Sequence, residues 1–300
     1  MYNIIQKKKI WFTFSGILAG LSIVLLLVWG LKLGIDFTGG SLLEISYEPN
    51  RPSIAEVEES LNTLELQSVK IQPSGESNFL LRFEDVDEAK HQEIVNNLSQ
   101  IQIADAEQEL TLTEMRFESI GPTIGNELKT KAIQAIIIVL LFIVFYIAYA
   151  FRQVSKPVAS WKYGVSAIIA LAHDLLIITG IFAALGYFLN VEVDTLFVTA
   201  LLTILGFSIH DTIVTFDRTR ENIFKIQNQS FDDIVNLSVN QTIVRSINTS
   251  VTTLFVLLAI YVFGGASIKF FVLALMLGVI VGTYSSIFIA SPLLTIWKRK

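Results

Sequence analysis

The chain has 300 residues, 52% hydrophobic and only 16% charged, with a net charge of −5 and a mean hydropathy of +0.59. That balance excludes an ordinary soluble domain, because the apolar residues are gathered into long blocks. Cysteine is absent, which excludes disulfides, thiolate nucleophiles and zinc–thiolate clusters; neither GxxxxGK[ST] nor GxGxxG occurs, so bound ATP is not expected to drive the work.

Six blocks can span a membrane: Ile10–Leu31, Ala132–Phe151, Val165–Leu189, Leu196–Phe216, about Ile243–Phe263, and Phe270–Trp297. Each reaches the ~20 residues that a ~30 Å hydrocarbon core requires. The first is too long for a signal-peptide core and has no small-residue cleavage site after it, so it reads as a retained anchor. The fifth is strongly apolar only from Val251, and a full crossing places its helix start near Arg245.

Between the first two blocks lies a polar segment from Ser41 to Lys131, long enough to fold by itself. Ser41–Glu48 alternates as a strand, and Ser53–Leu64 reads as a helix with Ser53 and Glu56 in capping-box spacing. Gln67–Gln72 and Phe79–Phe83 read as strands around a turn at Pro73-Ser74-Gly75, Asp87–Leu98 as a helix and Leu110–Ile120 as a strand. The order βαββαβ is the ferredoxin-like arrangement. The expected fold class is therefore a polytopic α-helical membrane protein with six transmembrane helices and a small α+β external domain between helices one and two. Its expected divisions are 1–40, 41–130 and 131–300. The many Glu and Asp of the external segment read as a solvated face and argue against nucleic acid, and His91 reads as ordinary surface.

Two glycine motifs bracket that segment: Gly34-Ile35-Asp36-Phe37-Thr38-Gly39-Gly40 and Gly121-Pro122-Thr123-Ile124-Gly125. Gly34, Gly39, Gly40, Gly121, Pro122 and Gly125 suit either a rigid membrane-to-domain junction or a hinge, and Asp36 either caps the turn or pairs with Lys32.

Loop charge orients the chain. Lys7, Lys8 and Lys9, then Arg152, Lys156 and Lys162, then Arg218, Arg220 and Lys225, and finally Lys298, Arg299 and Lys300 fall on one side if the spans alternate. By the positive-inside rule that side, with both termini, is cytoplasmic.

Charged residues within the spans cost several kcal/mol and mark sites by default. His173 and Asp174 lie eight or nine residues past Val165, and Asp211 lies seven before Arg218. At about 1.5 Å per residue these depths are ~12 Å and ~10 Å from the cytoplasmic edge. Arg245 falls at that edge, so all three charged positions occupy the inner half. Arg245 either snorkels to the surface or pairs with Asp211, with Thr249 one turn along its face. His173 and Asp174 are either interhelical hydrogen-bonding groups or members of a proton relay. A carboxylate between desolvation and a nearby arginine suits such a relay.

The motifs GIDFTGG, GPTIG, ALAHDLLI around His173-Asp174, GFSIHDTIVTFDRTREN from Gly206 to Asn222 and RSINTSVTT from Arg245 closely resemble, in that order, the SecF family of the bacterial Sec protein-export machinery. The resemblance runs from the first span to the last. It implies a non-enzymatic, cofactor-free subunit that pairs with SecD, each giving six helices to a pseudo-symmetric bundle related to resistance-nodulation-division transporters. It further implies a place in the bacterial cytoplasmic membrane, in contact with lipid, the SecYEG translocon with its accessory subunits, and a translocating unfolded polypeptide. Protons moving through Asp211 and Arg245, with Thr249 beside them, would drive export after the ATP-dependent step. The family commonly has Asn before the key aspartate, where this chain has His210; that histidine is either an isostere or a change in the pH range of the relay. The rivals are half of a proton-coupled small-molecule exporter of the same superfamily and a non-transporting translocon assembly factor.

Overall fold

A computed structural model of the chain describes residues 1–101, 110–152, 158–226 and 228–297. Of the charges used for orientation, Lys156, Lys298, Arg299 and Lys300 lie outside the described residues. The chain divides into two units, one formed by Met1–Lys32 and Ala132–Lys300, the other by Leu33–Lys131.

In the 33–131 unit a single helical turn α2 (Ile35–Thr38) leads into β1 (Gly40–Glu48), followed by α3 (Ile54–Asn62), β2 (Lys70–Ser74), β3 (Asn78–Phe83), α4 (Glu88–Ser99) and β4 (Thr111–Ile120). The sheet is antiparallel in the order β2-β3-β1-β4. Alternation sets its inner face: Leu43, Ile45 and Tyr47 on β1 and Phe79, Leu81 and Phe83 on β3 are buried, together with Val57 and Leu61 of α3 and Ile94 and Leu98 of α4. The α3 start is a complete capping box, Ser53 Oγ accepting from Glu56 N at 3.3 Å while Ser53 N donates to the Glu56 carboxylate at 2.7 Å.

Two expectations here are corrected. The second strand begins later, at Lys70, and takes in Pro73 and Ser74, so the reversal falls at 75–77. Proline is tolerated there because β2 is an edge strand whose outer backbone needs no donor. His91 is not surface: it is 3% exposed. The cause is a bulge in β4. Glu44 pairs with Arg116 and Ile45 with Glu114, skipping Met115, so Glu114 and Phe117 share the inner face. His91 lies between them, stacked on Phe117 with Nε2 3.2 Å from Glu114 Oε2 and Nδ1 3.2 Å from Glu88.

The other unit holds α1 (Lys8–Val28), the part of α5 (Pro122–Ala150) from Ala132 on, α6 (Ser160–Leu189), α7 (Thr195–Lys225), α8 (Phe231–Phe263) and a last span made of α9 (Lys269–Ser285), a π turn Ser286–Ala290 and α10 (Ser291–Ile296). These are six helices long and apolar enough to cross a membrane, and the chain is a multi-pass membrane protein. Around α6, α7 and the last span lies the core of Tyr163, Ala167, Ala170, Leu171, Leu205, Phe216 and Leu294. Glycines bring these helices close: Gly180 meets Ser22 of α1, and a Cβ on Gly282 would lie 2.8 Å from Ser208 Cβ.

The fifth span is longer than read. It starts at Phe231, capped by Ser230 Oγ accepting from Asp233 N at 3.2 Å, which leaves Arg245 fourteen residues inside the helix. The extension buries Phe231, Ile234, Val235 and Val239 together with Asn236, Ser238 and Thr242, so a search for continuous hydrophobicity misses it. Asn236 accepts from Ile4 N and Ile5 N at 3.0 and 3.1 Å, holding the N-terminus against this extension. Lys8 at the start of α1 reaches Asp232 at 3.2 Å and Thr295 at 2.8 Å, and Lys162 at the start of α6 donates to Trp297 O at 3.1 Å. Basic residues from two spans, α1 and α6, thus gather at one end of the bundle with the ends of α8 and of the last span.

Candidate functional site

Along α7 the residues Ser208, Asp211, Thr212, Thr215 and Thr219 are all buried, so one face of an otherwise apolar helix is polar. A helix in hydrocarbon keeps such a face only against matching groups. Those groups come from α6, α8 and α9.

Asp174 of α6 is fully buried. Its Oδ2 accepts from Ser208 Oγ and Ser285 Oγ, each at 2.7 Å, and its Oδ1 lies 3.1 Å from His173 Nδ1. Three helices meet on one carboxylate. The seam continues through Thr212 Oγ1 and Ser286 Oγ, 2.8 Å apart, with Ser286 Oγ also donating to Ser208 O at 3.1 Å. On the α8 side Thr215 and Thr242 hydroxyls are 3.2 Å apart, and Ser250 meets Thr283 of α9.

Asp211 sits within this belt but is bound differently. It is 5% exposed, with the Ser246 hydroxyl of α8 beside its carboxylate and the His210 and Arg245 side chains near it, yet Oδ2 has no hydrogen-bond partner. An unsatisfied buried carboxylate oxygen is expensive, and it is placed to receive a proton or a partner.

The expected Asp211–Arg245 pairing is not formed among the described residues. Successive helical residues diverge by about 100°. Ser246 therefore points inward to Asp211 while Arg245 is exposed on the outer side of α8. Thr249 is exposed with it, its hydroxyl donating to Arg245 O at 3.1 Å, and His210 is exposed on α7. His173 is 9% exposed and keeps a buried Nε2 without a partner, its ring centroid 6.3 Å from that of Tyr284. Asp217 pairs with Arg220 at 2.6 Å near the end of α7.

Two sets of residues thus separate. Asp174, Ser208, Asp211 and Ser246 form the buried seam; His210, Arg245 and Thr249 face outward beside it. The hydroxyls Ser208, Thr212, Ser246, Ser285 and Ser286 were missed in the sequence, although Ser208, Thr212, Thr215 and Thr219 recur at helical spacing and Gly278 and Gly282 precede Ser285-Ser286 on one face.

The two glycine motifs, far apart in the chain, pack on each other inside the 33–131 unit. Gly39 has φ +77°, and a Cβ on it would lie 2.8 Å from Pro122 Cα; one on Gly125 would lie 3.0 Å from Gly39 N. Gly40 follows at φ +119°, Gly121 approaches Asp85, and Gly34 opens the turn that carries Asp36, its carbonyl accepting from Thr38 Oγ1 at 3.0 Å. Only glycine meets both the backbone angle and the closeness at position 39.

Residues 101–300 match the family model described as protein export membrane protein SecD/SecF, C-terminal, and residues 24–50 match the SecD/SecF GG motif. The chain is 42% identical to the protein translocase subunit SecF of Thermobaculum terrenum over 100% of its own length and 95% of that protein. It is 38% identical to that of Anaerolinea thermophila, covering 99% and 94%. It also resembles the crystal structure of SecDF, a translocon-associated membrane protein from a Thermus species, with a TM-score of 0.83 and 32% identity over 99% of this chain and 38% of that one. The chain therefore spans well under half of that SecDF protein.

Proposed function

The chain belongs to the SecF family of protein translocase subunits, and on that footing we propose that it works with SecD to couple the proton gradient to polypeptide export. Asp211 is the group that gains and loses the proton. The observation that carries this reading is its buried carboxylate, one oxygen unbonded, in a seam of hydroxyls between four helices. Gain and loss of the proton change what Asp211 presents to Ser246 of α8, so each cycle changes the contact between α7 and α8.

SecD covers the outward polar face. Thr203, Gly206 and His210 of α7 and Arg245, Asn248, Thr249 and Thr252 of α8 are all exposed at mid-span, where lipid would leave a guanidinium unpaired. Arg245 and Thr249 then line the proton path from the subunit interface, with His210 beside them. The basic end of the bundle faces the cytoplasm of a bacterial cell, with both termini, and the 33–131 unit works outside, acting on an unfolded chain that leaves the SecYEG translocon. The packed glycine motifs around Gly39 and Gly125 pass the movement to that unit.

Asp211→Asn in vesicles holding the SecD complex and the translocon is the test. Loss of proton-driven export with normal complex assembly is expected. Export at the full rate would remove the relay role.

A further inference from the structure

We propose that Asp174 is a positioning residue: it holds α7 in the rotation that presents Asp211 to α8, and it keeps one protonation state while Asp211 cycles. The inference rests on the relay reading of Asp211 and assigns the second buried carboxylate a separate task.

The two aspartates differ in how their lone pairs are met. Asp174 is 0% exposed and has partners on three sides: Ser208 Oγ and Ser285 Oγ donate to Oδ2 at 2.7 Å, and His173 Nδ1 lies 3.1 Å from Oδ1. Both lone pairs of Oδ2 are thus met, and a proton arriving at that oxygen must displace a serine, while Oδ1 faces the His173 ring. Asp211 has an oxygen with no partner. Within one polar seam, the carboxylate with an unbonded oxygen is the group suited to exchange, and the one bound at both oxygens is suited to hold.

What Asp174 holds is the turn of α7 next to Asp211. Ser208 precedes Asp211 by three residues, so the two are neighbours on the helix surface. On the far side of Asp211, Thr212 is bound to Ser286 at 2.8 Å, and Ser286 returns to Ser208 O at 3.1 Å. The helix is thus gripped immediately before and after the relay residue. Gly282 allows the close approach, leaving room for Ser208 where any side chain would collide.

The last span is shaped for this grip. Consecutive residues of a regular helix point about 100° apart, yet Ser285 and Ser286 both donate into the α7 seam, one to Asp174 and the other to Ser208 O. The π turn begins at Ser286 and widens the helix at this level, with Ser291 Oγ donating to Ser286 O at 2.9 Å. Around Asp174 the titratable groups are His173 of its own helix and, against that ring, Tyr284 of α9. Around Asp211 they are His210 of its own helix and Arg245 of α8.

The experiment compares Asp174→Asn, Asp174→Ala and Asp211→Asn in the assembled complex with SecD and the translocon, measuring proton-driven export of a secreted precursor across a pH series and the amount of complex. Asparagine cannot cycle a proton but its amide oxygen still accepts from both serines, so Asp174→Asn is expected to keep export within about threefold and leave the pH profile in place. Asp174→Ala releases Ser208 and Ser285; export is expected to fall about tenfold and the pH profile to move at unchanged complex levels, since Asp211 is then presented differently. Ser208→Ala with Ser285→Ala, which keeps the carboxylate, is expected to move the profile the same way and serves if Asp174→Ala fails to assemble. Loss of export by an assembled Asp174→Asn complex, as complete as that of Asp211→Asn, would overturn the positioning role and make Asp174 a proton carrier. An unmoved rate and profile in both the alanine variant and the serine pair would overturn it as well. Full-rate export by Asp211→Asn is a separate outcome: it removes the relay reading, and the role of Asp174 falls with it.

Discussion

The His91 ring lies face to face on Phe117, centroids 3.7 Å apart and planes 3° apart. The pair exists because the bulge that skips Met115 brings Glu114 and Phe117, three residues apart, to the same side of β4. A histidine is thereby buried between a glutamate on its own helix and one on the strand, in contact with an aromatic face.

His91→Ala removes the stack and both carboxylate contacts and leaves a void behind α4. A loss of roughly 2 kcal/mol in the stability of the 33–131 unit is expected. Hydrogen exchange at β1 and β4 in the intact protein measures it, and unchanged protection there would show that the ring contributes nothing.

Glu88 tests the same corner through pH. Gln92, donating at 2.8 Å, and then His91 hold its carboxyl below the ordinary glutamate range. A carboxyl lowered in the folded state contributes stability that is present above its unfolded value, and that contribution is lost as pH falls through the folded value. Lowering pH from neutrality through about 4.5 and below is therefore expected to weaken the 33–131 unit in the wild type. Glu88→Gln should flatten that acid limb, and an unchanged pH slope would contradict the assignment.

Gly282→Ala places a Cβ 2.8 Å from Ser208 Cβ and forces α9 away from α7. A destabilisation of about 1–3 kcal/mol is expected from overpacking. Because Ser208 is the residue that Asp174 holds, proton-driven export should fall in the same variant even where the protein remains folded. Thermal unfolding of the purified protein and export in vesicles report the two effects.

The hydrophobic blocks were legible because a span needs a run of about 20 apolar residues that nothing else in a chain resembles. The capping box at Ser53 and Glu56 was legible for a similar reason, being a local contact between residues three apart. The start of α8 was not, since the buried face of its first turns mixes Phe231, Ile234, Val235 and Val239 with Asn236, Ser238 and Thr242 and makes no continuous apolar run. His91 was misjudged because nothing local marks a buried histidine; its burial follows from a bulge at Met115, on a strand far along the chain.

By itself the sequence determined that this is a six-span membrane protein with a βαββαβ insertion and that Asp174, Asp211 and Arg245 carry its charges within the spans. Both follow from the cost of burying polar groups in hydrocarbon, which is paid residue by residue and leaves a periodic trace. Tertiary structure decided what those charges face. Asp174 accepts from serines of two other helices, Asp211 looks to Ser246, and Arg245 turns outward. Those choices depend on helix rotation and on close approach at Gly282, quantities set by packing between helices and left unmarked in any one of them.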